Sequence, residues 1–292
     1  MASDRPELYL NLSVPDLAAR AAALPAAGVG LMRAEFLALG VGAHPMALLA
    51  QGGEQAFVDV FAGGLETVAG AFHPRPVTYR LLDLKSNEYR DLPGGAEHED
   101  LEANPMIGLR GAARYLERPE ELALELRAVR RVVDAGADNV RLMVPFVRTV
   151  DELVAVRALI AESGLLDRGV PLWIMAEVPS NVFLARRFAA EADGVSIGSN
   201  DLTQLVLGVD RDCARLADRY SPLDPSVLAA IGRVIEGAHE AGVPVSVCGD
   251  APSREPELVR ALVELGIDAI SVVPSAFEET RSAIDAAAAA RR

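Results

Sequence analysis

The feature that most constrains this chain is a repeated change of hydrophobic period. Short apolar runs fall at 8–12, 28–33, 77–82, 140–145, 172–177, 194–198, 243–248 and 269–272. Helical patterns lie at 16–24, 54–71, 119–134, 150–163, 181–190, 225–241, 255–265 and 275–289. Short apolar runs bounded by turn signals read as buried strands, and apolar residues three and four apart read as amphipathic helices. Strands that alternate with helices pair in parallel, because each helix carries the chain back to the start of the next strand. Eight such units without a large linker predict an α/β chain that folds as one closed (β/α)₈ barrel over residues 1–292.

The punctuation agrees. Gly136, Gly164, Gly242 and Gly266 follow helical runs, where a left-handed residue ends a helix. Thr149 with Glu152 makes a capping-box pattern, and Ser253 is a second candidate N-cap. The one long interruption, 83–111, reads as a loop after the third strand. Long loops in compact domains usually carry function, and in a barrel they do so at the C-terminal ends of the strands.

Composition sets limits. Hydrophobic residues make up 51% of the chain but aromatics only 5%, so aliphatic residues and alanine build the core. A net charge of −14 argues against nucleic acid as the main partner, since phosphate backbones need clustered Lys and Arg. A small anion is still admissible, because a local arginine cluster acts inside an acidic protein. No apolar run reaches about 18 residues, so no membrane span is predicted. Residues 1–5 show no secretory pattern, and the two cysteines, Cys213 and Cys248, are too far apart to suggest a disulfide framework. A cytoplasmic location is the expectation.

Polar residues gather where the strands end. Arg33 and Arg80 close the second and third runs, Arg110 lies in the long loop, Glu177 closes the fifth, Asn200 and Asp201 follow the sixth, and Cys248 closes the seventh. Glu177 and Asp201 offer two hard oxygen ligands on neighbouring strands, suited to Mg²⁺, which takes one or two carboxylates and fills its octahedron with water and substrate. Guanidinium forks suit carboxylate and phosphate oxygens. A metal plus arginines stabilises an enolate, and a thiol, with an ordinary pKa near 8.5, can move a proton at its carbon. Each residue also has a plainer reading. A strand-end Cys serves as core packing, residues 198–203 serve as a turn and helix N-cap, and Asp210-Arg211-Asp212 serves as a solvated charge run. The histidines His44, His73, His98 and His239 show no metal spacing and read as structural or solvated.

The segments GVGLMRAEF (28–36), YRLLD (79–83), NPMIGLRG (104–111), MAEVPS (175–180), GSNDLTQ (198–204) and CG (248–249) resemble, in order, the phosphoenolpyruvate-utilising enzymes. Within that family DLKSNEY (83–89) and PFVRTV (145–150) look most like phosphoenolpyruvate synthase. The resemblance implies a TIM barrel of the phosphoenolpyruvate/pyruvate type, the C-terminal domain of such enzymes. It implies that Arg33, Arg80 and Arg110 hold phosphate and carboxylate oxygens, that Glu177 and Asp201 bind Mg²⁺, and that Asn200 and Arg211 contact the substrate. Cys248 would protonate the enolate face, with Arg33 and Arg80 as its catalytic companions. A homodimer is also implied.

Two departures stand out. The chain shows no ATP-binding loop and no phosphocarrier histidine motif, so the phosphoryl group would be exchanged with a phosphohistidine on another domain or protein. The stretch CGDAPS (248–253) is less glycine-rich than in the synthases. Two other classes stay open: a pyruvate-enolate lyase or aldolase on the same barrel, and a non-catalytic module that senses phosphoenolpyruvate.

Overall fold

A computed structural model describes residues 5–290, so residues 1–4, most of the segment read for a secretory leader, and Arg291 and Arg292 lie outside it. Eight strands close into a parallel barrel in sequence order: β1 (Glu7–Leu12), β2 (Val29–Arg33), β3 (Val77–Arg80), β4 (Val140–Val144), β5 (Leu172–Ala176), β6 (Gly194–Gly198), β7 (Val245–Cys248) and β8 (Ala269–Val272). β1 pairs with β8 from Glu7↔Ala269 to Leu10↔Val272, which closes the ring. The eight predicted runs are these eight strands, with ends shifted by at most two residues.

The helices form the outer layer. Glu54–Phe72, Pro119–Asp134, Val150–Glu162, Pro225–Ala241, Pro256–Glu264 and Phe277–Ala290 follow the predicted patterns. Pro119–Asp134 shows why the chain folds this way locally. Pro119 opens it, Glu120 and Glu121 sit in its first turn, Arg131 sits in its last, and Leu122, Leu126, Val129 and Val132 are buried. The four predicted cap glycines all have positive φ. Thr149 and Glu152 form the predicted capping box, with Glu152 N–H donating to Thr149 Oγ1 at 3.0 Å.

Three expectations need correction. The predicted helix 181–190 is two short helices, Pro179–Phe183 and Ala185–Ala189, broken at Leu184, whose φ of −120° and ψ of 28° leave the helical region. Ser253 does not cap the helix after it, and its hydroxyl instead accepts from Val273 N–H. The loop 83–111 is not featureless: it holds the helix Ser86–Arg90 and 3₁₀ turns at Gly95–Glu97 and Pro105–Ile107. Among the described residues no helix is long and apolar enough to cross a membrane.

Outward-facing strand residues pack under the helices in one large cluster that includes Leu10, Val29, Tyr79, Leu142, Ile174, Val195, Val247 and Ile270. Inside the ring the fill is sparse. Leu31, Met143, Trp173, Met175 and Cys248 form a small cluster of their own. Other buried residues of the inner layer are Thr78, Ser196, Ser246 and Ser271, where such barrels usually place bulky branched side chains. Asn11 ties the upper layer together by donating to Gly249 O at 3.2 Å and Ser271 O at 3.1 Å.

Candidate active site

The C-terminal ends of the strands open into a cavity of about 820 Å³. Arg33, Arg80, Arg110, Glu177 and Asn200 line it, and so do Asp201, Arg211 and Cys248. The structure thus brings all eight candidate residues from eight separate sequence positions to one cavity.

Most of the charges are already paired. Asp83, buried below the mouth, accepts from Arg110 Nε at 3.0 Å and Nη2 at 2.5 Å. Arg80 donates to Glu35 Oε1 at 2.6 Å. Asp201 faces Arg110 at 3.1 Å through one oxygen and Arg211 at 3.2 Å through the other. Asn200 donates to Asp250 Oδ2 at 3.1 Å. Arg33 is different: its guanidinium forms no hydrogen bond or ion pair with another described residue, yet it lines the same cavity. Glu35, Asp83 and Asp250 were not singled out from the sequence. The signal was present for the first two, since each stands two or three residues past a candidate arginine in the same segment.

Residues 198–203 do not act as a side-chain cap. Gly198 holds the N-cap position of the helix Ser199–Leu207 without a side-chain bond, Ser199 Oγ donates to Cys248 O at 2.7 Å, and Asp201 is turned to the arginines. A Cβ on Gly198 would lie 2.6 Å from Glu177 Oε2, so only glycine lets β6 pass this carboxylate. Phe146, just after β4, has φ of +45°, a costly conformation for an aromatic residue. It aims its N–H at Glu177 Oε1, 2.7 Å away, and sets its ring 4.2 Å from the Arg110 guanidinium. Local strain is spent on placing one carboxylate and one arginine.

Electrostatics separate the groups. Burial, then the Asp201 and Asp83 charges, push Glu177 well above the usual carboxylate range, and Arg110 and Arg80 only partly oppose this. Burial pushes the Cys248 thiol up to about 11, against a bond from Ser196 Oγ at 3.4 Å and the charges of Arg80 and Arg33. The thiol is therefore protonated near neutral pH, a proton donor in waiting rather than a ready base. Burial thus carries the thiol further above neutrality than its ordinary value of about 8.5. Glu35 Oε2 and Arg80 Nε are buried without any hydrogen-bond partner. Three carboxylates crowded so that one resists ionising are a fitting donor set for a hard divalent cation; Asp83, Glu177 and Asp201 all line the cavity, and Asp83 gives both its oxygens to Arg110.

A second buried cluster joins His44, Glu99 and Glu121. His44, expected in a loop or on a helix surface, is fully buried, with Nε2 2.8 Å from Glu99 Oε1. The cation at its centre is Arg114, which donates to both oxygens of Glu99 and to both of Glu121. This cluster is a filled ion-pair network.

Comparison with known proteins agrees with this geometry. The family profile described as "PEP-utilising enzyme, PEP-binding domain" matches residues 2–289. The chain is 49% identical over 282 residues to a probable phosphoenolpyruvate synthase of Staphylothermus marinus, covering 94% of this chain and 34% of that protein. It is 50% identical over 283 residues to the phosphoenolpyruvate synthase of Aeropyrum pernix, again covering 94% and 34%. The chain thus spans about a third of the length of these relatives. Among solved structures, an HpcH/HpaI aldolase/citrate lyase family protein from Burkholderia cenocepacia superposes with TM-score 0.53 at 17% identity, covering 99% of this chain and 96% of that one. A Haloferax volcanii malate synthase superposes with TM-score 0.57 at 11% identity, covering 97% and 74%. At such identity these two speak for the barrel alone. By its profile match and its relatives, the chain belongs to the PEP-utilising enzymes and carries their PEP-binding barrel.

Proposed function

We propose that this barrel binds pyruvate and phosphoenolpyruvate with Mg²⁺ and carries out their half of a phosphotransferase reaction like that of phosphoenolpyruvate synthase. The phosphoryl group would pass to or from a phosphohistidine on another domain or chain, and the barrel would act as a homodimer in the cytoplasm. The observation that carries the reading is one cavity holding an unpaired arginine, a crowded carboxylate pair and a protonated thiol.

Each residue then has a task. Arg33, with no internal partner, receives substrate oxygens without breaking an existing bond. Arg80 and Arg110, fixed by Glu35 and Asp83, present guanidinium edges at set positions. Asn200 and Arg211 line the same cavity and would contact the same anion. Glu177 and Asp201 would hold Mg²⁺, which when bound withdraws charge from the developing enolate oxygen. As the phosphoryl group leaves phosphoenolpyruvate, the electron pair of the enolate collapses onto the methylene carbon and takes the Cys248 proton. Pyruvate forms, and solvent reprotonates the thiolate. In the reverse direction the thiolate removes a methyl proton of pyruvate.

Calorimetric titration with phosphoenolpyruvate in the presence of Mg²⁺ tests the reading. Arg33→Gln is expected to weaken binding about 10- to 100-fold, the value of a charged hydrogen bond to an anion. Wild-type affinity in that variant, or aldol cleavage of a 2-keto acid by the purified chain, would contradict it.

A further inference from the structure

The other end of the barrel is also open. A cavity of about 590 Å³ lies at the N-terminal ends of the strands, within the size range of small-molecule sites. It exists because the inner layer there is undersized. Thr78, Ser246 and Ser271 stand where branched aliphatics would fill the ring. The small cluster of Leu31, Met143, Trp173, Met175 and Cys248 separates this cavity from the C-terminal mouth.

Its lining is specific. Trp173 forms one wall and lies flat against β6, where a Cβ on Gly194 would fall 2.3 Å from the indole. Tyr9 forms another wall. Two arginines, Arg141 and Arg157, reach the cavity, and neither forms a salt bridge with a described residue, although Arg141 hydrogen-bonds the Tyr9 hydroxyl. Arg141 stands 5.4 Å from the Trp173 ring. The nearby acids are engaged: Glu7 accepts from Tyr9 Oη, Asp193 from Leu172 N–H, and Asp268 from Val245 N–H and His239. The acids hold donors, Arg141 meets the neutral Tyr9 hydroxyl rather than a carboxylate, and Arg157 has no partner among the described residues, so neither guanidinium is neutralised by a direct ion pair and the site suits an anion beside an aromatic wall.

We propose that the N-terminal mouth is a second ligand site, taking a small aromatic anion whose ring packs on Trp173 and whose acidic group pairs with Arg141. Arg157, exposed at the rim, adds a second contact to the same group. The site is distinct from the phosphoenolpyruvate pocket and stands whether or not that pocket is assigned correctly.

Trp173 is the sole tryptophan of the chain and lines this cavity, so its quenching reports a probe bound here, and the Arg141, Arg157 and Ser246 variants tell this site from the C-terminal mouth. The probe is anilinonaphthalene sulfonate, titrated into the native chain, with Trp173 quenching and energy transfer as readouts. Saturable one-to-one quenching is expected, about tenfold weaker in Arg141→Gln and about threefold weaker in Arg157→Gln. Ser246→Leu, which fills the floor, is expected to abolish it, and phosphoenolpyruvate with Mg²⁺ should not compete. Arg157→Gln replaces an exposed side chain, so it keeps the test available if a core variant misfolds. Absence of saturable quenching, wild-type binding in both arginine variants, or displacement of the probe by phosphoenolpyruvate would each overturn the proposal.

Discussion

The barrel carries two buried arginine–carboxylate networks that look alike in composition and differ in balance. In one, Arg114 is clamped by Glu99 and Glu121, stands 3.5 Å from the Tyr89 ring, and is backed by His44 and Arg118. Burial pushes Glu99 up, but His44, Arg114 and Arg118 outweigh it and hold the carboxyl at about 2. In the other, Asp83, Glu177 and Asp201 share Arg110 and Arg80, and Glu177 is driven the opposite way, above its ordinary range. Two of the buried atoms without a partner, Glu35 Oε2 and Arg80 Nε, belong to this second group. A saturated network holds a loop in place. An unsaturated one keeps a demand that a ligand can meet, and opposite pKa shifts are its signature.

The largest expected effect would come from breaking the saturated side. Arg114→Met leaves Glu99 and Glu121 buried with only the half-buried Arg118 between them, and should cost about 3–5 kcal/mol in denaturant unfolding. Ligand affinity of the remaining folded protein should be unchanged. Glu177→Gln is the mirror experiment. Mg²⁺-dependent ligand binding should disappear, while stability holds or rises by about 1 kcal/mol, since a like-charge crowd has been relieved. A loss in Glu177→Gln as large as in Arg114→Met would mean that both networks are structural. The smallest effect is in pH dependence. Glu99 has a depressed folded pKa, so its stabilisation is present above the ordinary carboxylate value and is lost as pH falls through about 2. Glu99→Gln should therefore flatten the acid limb of the stability curve by at most about one proton. Glu177, shifted upward, contributes in the other direction: its share is present at low pH and is lost as pH rises through its raised value. A steeper acid limb in Glu99→Gln would reverse the assignment.

Much of this was legible in the sequence, for a physical reason. Strand alternation and helix caps are local, so β1 to β8, the capping box at Thr149 and the cap glycines could be read from spacing. Arg33, Arg80, Glu177 and Cys248 end strands, and parallel strands in a barrel point all such ends the same way. What escaped depends on contacts between distant segments. His44 meets Glu99 across 55 positions, and the Ser253 hydroxyl accepts from Val273 N–H rather than from its own helix. The protonation of Cys248 follows from burial, which spacing does not report. The N-terminal cavity follows from the sizes of Thr78, Ser246 and Ser271 on three different strands, and only the register brings these together.

The most direct test of the central claim is exchange of the pyruvate methyl protons with deuterium, followed by nuclear magnetic resonance on the purified chain with Mg²⁺. The wild type should exchange, and Cys248→Ala should exchange at least about 100-fold more slowly, the usual loss for a positioned acid–base group, while binding phosphoenolpyruvate as before. Exchange in Cys248→Ala at the wild-type rate would contradict the assignment of the buried thiol as the group that moves the proton.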